Sequence, residues 1–289
     1  PQQQKMFSAA SKHSQSAIRK VPASSLFVSE PPPQWFGNGP NPRKDPNWTN
    51  ANWLKSRFHF AFAEDSMSPQ QFGVLRVMND DLVQPKRMFG THPHRDMEIV
   101  TYVVEGNLTH KDSRGNEETL GPGSIQFMSA GTGIQHSEGN PDAKPLRFVQ
   151  SWVTPRRRGL RPNYGSATAK ACDREDKWAR LAADWDDKTA DDENVKVRIH
   201  QDCNVYATET TRELDFTLDA GRQAYLLCVD GDVDIHDDAA GSSSSSKKHL
   251  TRHDAAEIYG PLTFRVKPSD AAHLLMFEMA ADPHRSGRD

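Results

Sequence analysis

The chain has 289 residues, a formal net charge of −3 at pH 7, three cysteines and 12 histidines. That length holds one large domain or two of ordinary size. The charge balance gives no electrostatic case for nucleic-acid binding. No apolar run is long enough to span a bilayer. Three scattered cysteines, Cys172, Cys203 and Cys228, argue against a disulfide scaffold and fit an intracellular reducing compartment.

Residues 1–29 contain no Asp or Glu, several Lys and Arg and many Ser. This reads either as the remnant of a transit peptide, removed on import into an organelle such as a plastid, or as a solvated basic tail of a cytoplasmic or nuclear protein. The run from Pro31 to Pro42 is rich in Pro, Gly and Asn and cannot hold regular structure for long. Residues 1–46 are therefore expected to form an extended tail, with Trp35 and Phe36 available to dock on a surface.

Short alternating segments follow. Gly73–Met78, Glu98–Val104, Asn107–His110, Ser124–Met128 and Leu146–Val153 read as strands, with turns at Asp112–Asn116 and Gly121–Gly123. The pattern then breaks. Arg156–Arg158 and Arg161 form a basic run, Lys177–Ala183 reads as a short helix, and Asp184–Glu193 as a solvated acidic loop. Strands return at Val195–Ile199, Asn204–Thr208, Leu214–Leu218, Ala224–Val229 and Leu274–Glu278. The serines 242–246 and Lys247–Lys248 read as a flexible loop. Many short strands at close turn spacing predict an all-β chain built as antiparallel sandwiches or barrels.

A weak internal repeat aligns Thr101–Thr109 with Leu226–Asp234, placing Gly106 opposite Gly231. Extended without gaps, it sets Thr217 and Asp219 against His92 and His94, and Lys267 near the place of His136. The second half reads as a copy of the first without its chemistry.

That chemistry lies in Thr91-His-Pro-His-Arg-Asp-Met-Glu98 and Gly131-Thr-Gly-Ile-Gln-His-Ser-Glu138. Each supplies two metal-capable side chains at alternate positions, His92 and His94, then His136 and Glu138. Residues i and i+2 of a strand share a face, so neighbouring strands would aim three imidazoles and a carboxylate at one point. Such a mixed nitrogen and oxygen set suits a mononuclear iron, manganese, nickel, cobalt, copper or zinc ion. Arg95 and Gln126 read as support around the cavity, and Met88, Phe89, Met97, Phe127 and Met128 as packing beneath it. Of the other histidines, only His249 and His253 are spaced like ligands, and they read as surface residues beside a flexible loop. Cys203 and Cys228 read as buried and inert.

The spacing Gly90-x-His92-x-His94-x3-Glu98, Gly106, Pro122-Gly123, Gly131, His136 and Asn140 resembles the paired cupin motifs. Phe89–Ile99, Val104-Glu-Gly106, His110–Asn116, Met128–Glu138 and the lead-in Asn52–Ala63 resemble the pirin family, in particular its short bacterial members described as quercetin dioxygenases. The resemblance is strong over about residues 50–165, weaker over 194–280 and absent over 1–45. It implies a bicupin: two antiparallel jelly-roll barrels joined by a short helix and loop linker. Its expected division is a tail over 1–46, an N-terminal cupin with the metal over 47–160, a linker over 161–194, a degenerate C-terminal cupin without metal over 195–280 and a tail over 281–289.

Carried over residue by residue, the resemblance implies one divalent ion per chain, in first place Fe(II), held by His92, His94, His136 and Glu138. Glu98 stands where many other cupins have their carboxylate ligand, yet in pirins that role passes to the place of Glu138, so Glu98 is expected nearby. Glu138 is also the candidate catalytic base. Two functions follow from the resemblance. One is a metal-dependent dioxygenase acting on flavonol, quercetin-like aromatic substrates. The other is a non-catalytic redox sensor or docking protein of transcription co-regulator type; its variant, an accessory subunit of a larger complex, is favoured instead by the N-terminal extension, residues 1–46 with Trp35 and Phe36, through which a protein partner would be met.

Overall fold

The structure is a computed structural model, and it describes residues 17–39, 53–61, 71–168, 170–190, 195, 197–237 and 247–281. The serine run 242–246, residues 1–16, the end of the Pro/Gly-rich stretch, the end of the acidic run and nearly all of the C-terminal tail lie outside them. In chain order the strands of the first half are β1 (Ile18–Val21), β2 (Phe27–Ser29), β3 (Leu54–Phe60), β4 (Leu75–Val83), β5 (Met88–His94), β6 (Glu98–Glu105), β7 (Leu108–Asp112), β8 (Glu117–Leu120), β9 (Ser124–Ser129), β10 (Ile134–Gly139), β11 (Leu146–Val153) and β12 (Asn163–Thr168). A one-turn helix, α1 (Ala171–Arg174), precedes β13 (Ala179–Asp184), β14 (Val197–Ile199), β15 (Cys203–Thr210), β16 (Leu214–Leu218), β17 (Arg222–Asp237), β18 (Lys248–Thr251), β19 (Ala255–Tyr259) and β20 (Leu262–Ala280). No helix among the described residues is long and apolar enough to cross a membrane.

These strands form three sheets. The first half makes a seven-stranded sheet, β12-β9-β6-β11-β4-β3-β2, and a four-stranded sheet, β5-β10-β7-β8. The second half contributes eight strands, β13–β20, to a nine-stranded sheet completed by β1, in which the long β17 and β20 each also carry a side strand, β18 and β16. The expected all-β bicupin architecture is therefore the observed one. The two halves pack through their larger sheets. Phe60, Phe72, Met78, Tyr102 and Phe127 of the first meet Tyr225, Leu227, Leu275 and Phe277 of the second in one buried cluster. Residues alternate along each strand, so the opposite face of the seven-stranded sheet turns to the interior of its own barrel. That interior is apolar at one end, around Trp53, Leu54, Val83, Leu108 and Phe148.

Several expectations need correction. Lys177–Ala183 is not a helix. Seven residues are too few to hold a helix by propensity alone, and the segment finds backbone partners instead, β15 antiparallel on one side and β14 parallel on the other. The expected linker over 161–194 contributes strands to both halves: β12 pairs with β9, and β13 with β15. The described part of the N-terminal tail is a strap. Ile18–Val21 adds to the edge of the nine-stranded sheet against β19, and Phe27–Ser29 adds to the seven-stranded sheet against β3. Phe36 docks against Trp53 and Phe89, while Trp35 stays 74% exposed. Asp184 and Asp186 are partly neutralised by Arg156 from the basic run.

The internal repeat has a physical counterpart. Gly106 and Gly231 both adopt positive φ, +76° and +81°, and a Cβ at either would meet a backbone carbonyl oxygen, that of Pro145 or Ala271. The residues it aligned with the histidines turn outward. Thr217 is exposed with its hydroxyl on Thr263, and Lys267 pairs with Glu213 at the surface. The interior there is apolar, filled by Leu218, Phe264 and Val266.

Candidate metal centre

β10 runs between β5 and β7, and its register sets the site. His136 lies opposite His92 on β5, and Glu138 lies opposite His110 on β7. A bulge between His136 and Glu138 shifts the pairing with β5. The ligand atoms of His92, His94 and His136 lie within 4.8 Å of one another. His110, His136 and Glu138 form a second set at the same limit. The structure thus gathers three of the four expected ligands in one cluster and joins Glu138 to it through His136.

The donor atoms are prepared for a cation. The Gly90 carbonyl can only accept, so His92 Nδ1, 2.8 Å away, carries the ring proton and leaves Nε2 a free lone pair. His92 Nε2 and His136 Nε2 are 3.0 Å apart. Two nitrogens about 2.1 Å from one ion at right angles would be separated by about that distance. His94 Nε2 is buried without a hydrogen-bond partner, a state that costs about 1–3 kcal/mol unless something else engages the atom. The Trp152 ring packs edge-on against His94, with centroids 4.9 Å apart, and limits its rotation.

Protonation favours the same reading. Burial, reinforced by the two neighbouring imidazoles, pushes His94 down to about 3. Burial also lowers His136, to about 4, against the pull of Glu138. For Glu138 burial acts upward, but His136 first, then His110 and Gln150, bring it down to about 2. At neutral pH His94 and His136 are neutral and Glu138 is an anion, the forms in which these groups bind metal. The residues fit a first-row divalent ion.

The polar support comes from the seven-stranded sheet across the barrel. Gln126 Nε2 donates to Glu138 Oε1 at 2.7 Å, and Gln150 Nε2 donates to Glu138 Oε2 at 2.6 Å. Gln126 therefore supports the site as expected. Arg95 lies at the mouth, an open depression of about 610 Å³ that His94, Arg95, Ser113 and Gln135 help to line. Of the five residues expected beneath the cavity, Phe127 and Met128 are buried, Phe89 and Met97 are partly buried against core clusters, and Met88 is exposed. Glu98 faces away from the site. It accepts from the Ser129 hydroxyl at 2.7 Å and from the His200 backbone N–H at 3.3 Å, on the side of the second half.

Sequence reasoning missed His110, Asp112, Gln150 and Tyr164. Their alternation, His110-x-Asp112 and Gln150-x-Trp152, was the available signal, but which strands they oppose follows only from register. His253 also departs from the surface reading: its Nδ1 is 2.6 Å from the buried Asp80 carboxylate.

Comparison with known proteins places the chain in a family. Residues 42–153 match the family model described as Pirin, and residues 189–279 match that of the quercetinase C-terminal cupin domain. A protein of Escherichia coli K12 named quercetin 2,3-dioxygenase is 34% identical over 235 residues, covering 80% of this chain and 93% of that one. This chain belongs to the pirin family. A pirin-like protein of Caulobacter vibrioides is 35% identical over 216 residues, 71% of this chain and 90% of its own length. The crystal structure of the E. coli protein YhhW superposes with a TM-score of 0.72 at 28% identity, covering 93% of this pirin and all of YhhW. A second YhhW structure, in complex with nickel(II), gives the same TM-score over 92% of this chain.

Proposed function

We propose that this pirin is a metal-dependent dioxygenase of flavonol, quercetin-like substrates, and that His92, His94, His136 and Glu138 hold its metal. The observation that carries the proposal is the convergence of three imidazoles, with His94 Nε2 buried and unpartnered and the His92 and His136 Nε2 atoms at the spacing of neighbouring ligands. Relatives named quercetin 2,3-dioxygenase and a nickel(II)-bound pirin support it. We assign one divalent ion per chain, Fe(II) in the cell, with Mn, Ni, Co, Cu and Zn as ions the donor set accepts in vitro. Two of the three thiols, Cys203 and Cys228, are buried and all three are unpaired, which favours a reducing intracellular compartment.

A bound ion supplies Lewis-acid character and a template for oxygen-bearing ligands. The chain supplies the rest. We place the aromatic substrate at the open depression beside His94 and Arg95. Glu138, kept ionised, takes a proton from a substrate hydroxyl as general base, while the Gln126 and Gln150 amides hold both its oxygens in place. The Trp152 ring lies against His94 and the Tyr164 ring against His110, and such apolar neighbours strengthen the electrostatics of the site.

Aerobic incubation of metal-loaded protein with quercetin tests the reading by loss of flavonol absorbance. Turnover is expected, with Glu138→Gln, assayed at metal concentrations that refill its site, reducing kcat at least about 100-fold. No turnover above free metal with Fe, Mn, Co, Ni or Cu would refute catalysis. One observation favours the second reading, a redox-sensing or docking role. Trp35 is 74% exposed on the strap that spans both halves, as an anchor for a protein partner would be.

A further inference from the structure

His110 is fully buried, and it occupies the strand position directly opposite Glu138. Its ring is fixed from two sides. One face stacks on Tyr164, with centroids 4.4 Å apart and planes 12° from parallel. At one edge, Nε2 lies 3.3 Å from Asp112 Oδ2. Asp112, the last residue of β7, is itself held by the turn that follows, accepting from Arg114 N at 2.8 Å, Asn116 N at 3.1 Å and Asn116 Nδ2 at 2.8 Å. A carboxylate only accepts, so His110 Nε2 is the donor.

The other ring nitrogen, Nδ1, is buried without a hydrogen-bond partner and faces Glu138 Oε1 at 3.9 Å. That distance is too long for a hydrogen bond. A ring so tightly held, with one nitrogen left over and aimed at a single carboxylate, is poorly explained as core packing alone. A buried polar atom left unpaired costs about 1–3 kcal/mol, and a leucine would fill the space without that cost. An Asp–His pair behind a ligating group is instead a common device for orienting it.

We propose that His110, oriented by Asp112 and Tyr164, is the positioning residue that sets where the Glu138 carboxylate sits relative to the three-imidazole cluster. It touches neither substrate nor the reacting atoms; it acts through Glu138. The Gln126 and Gln150 amides define the two outer contacts of that carboxylate, and His110 defines the third direction, back toward β7. The inference rests on the reading of His92, His94, His136 and Glu138 as a metal site.

The test is Co(II) binding to the full chain, read by visible absorption and by competition with a chelator, with thermal melting as a fold control. His110→Leu is expected to weaken Co(II) binding about 10–100-fold and to shift the visible bands. His110→Asn, whose amide nitrogen falls near the place of Nδ1, is expected to restore part of both, and Asp112→Asn to shift the bands in the direction of His110→Leu. Should His110→Leu fail to fold, the asparagine variants carry the comparison. Wild-type affinity and bands in all three variants overturn the inference. So does an equal loss in His110→Leu and His110→Asn that merely follows their melting temperatures. If wild-type protein binds no Co(II) that depends on His94, the metal reading itself fails, which is a different result.

Discussion

Single residues in this pirin carry opposite electrostatic assignments a few ångströms apart. Asp80 and Asp81 are consecutive on β4 and both buried. For Asp80 burial acts upward but is overcome by Arg147 and His253, which hold it well below the usual carboxylate range. Asp81 faces the barrel interior with Oδ1 unpartnered. Burial first, opposed by the Ser56 hydroxyl and reinforced by the charges of Asp80 and Glu138, pushes Asp81 up from its ordinary 3.8 to about 8. Between those values the folded chain holds a proton that the unfolded chain has released, so Asp81 makes the protein less stable as pH rises through the window. Asp81→Asn removes this term. Its stability relative to wild type, from urea midpoints, is predicted to improve steadily from about pH 4 to pH 8, by at least about 1 kcal/mol; a pH-independent difference would contradict the assignment. The residue scale is also where the sequence was most legible. His92/His94 and His136/Glu138 stand out as metal-capable pairs by alternation, because strand geometry turns that spacing into a shared face, and the family resemblance chose Glu138 over Glu98. His110 and Gln150 do not. Their partners are set by the register between β7 and β10 and by the sheet across the barrel, which no local pattern encodes.

At the scale of elements, strand alternation located most of the sheet correctly, including Leu146–Val153 and Leu214–Leu218 to the residue. The failures share a cause. Ile18–Val21, Phe27–Ser29 and Ala179–Asp184 are strands because a sheet edge or a gap between strands is waiting for them. Their own sequences are weakly patterned, and long-range pairing decides. The turns are the converse case, since their chemistry is local. Gly106 is left-handed, and a Cβ there would lie 2.5 Å from the Pro145 carbonyl oxygen. Gly106→Ala is therefore predicted to destabilise the chain by about 1–3 kcal/mol, measured by chemical denaturation. An alanine at Gly115, whose Cβ would meet no atom within 4 Å, is the milder control, carrying only the backbone penalty.

Across the whole molecule, two barrels share their largest hydrophobic cluster, and one charge crosses it. Arg147 is buried, donates to Asp80 from Nε at 2.9 Å and from the other arm at 2.8 Å, and reaches Asp230 and the Val229 carbonyl of the second half. Arg147→Ala leaves the Asp80 carboxylate buried beside His253 alone and is predicted to cost about 3–5 kcal/mol in a denaturant titration. An effect below about 1 kcal/mol would show that the two halves do not depend on this pair. The same division of labour explains why, among the described residues, the second barrel keeps its shape without a ligand cluster: its interior at the corresponding strands is leucine, phenylalanine and valine.

A single divalent ion is proposed for the first barrel. Metal analysis of the chain after Fe(II) reconstitution and desalting, beside His94→Ala and a His249→Ala control, tests it most directly. One ion per chain is expected in wild type and in His249→Ala, and a loss of nearly all of it in His94→Ala. Equal metal in wild type and His94→Ala, or two ions per chain, would contradict it.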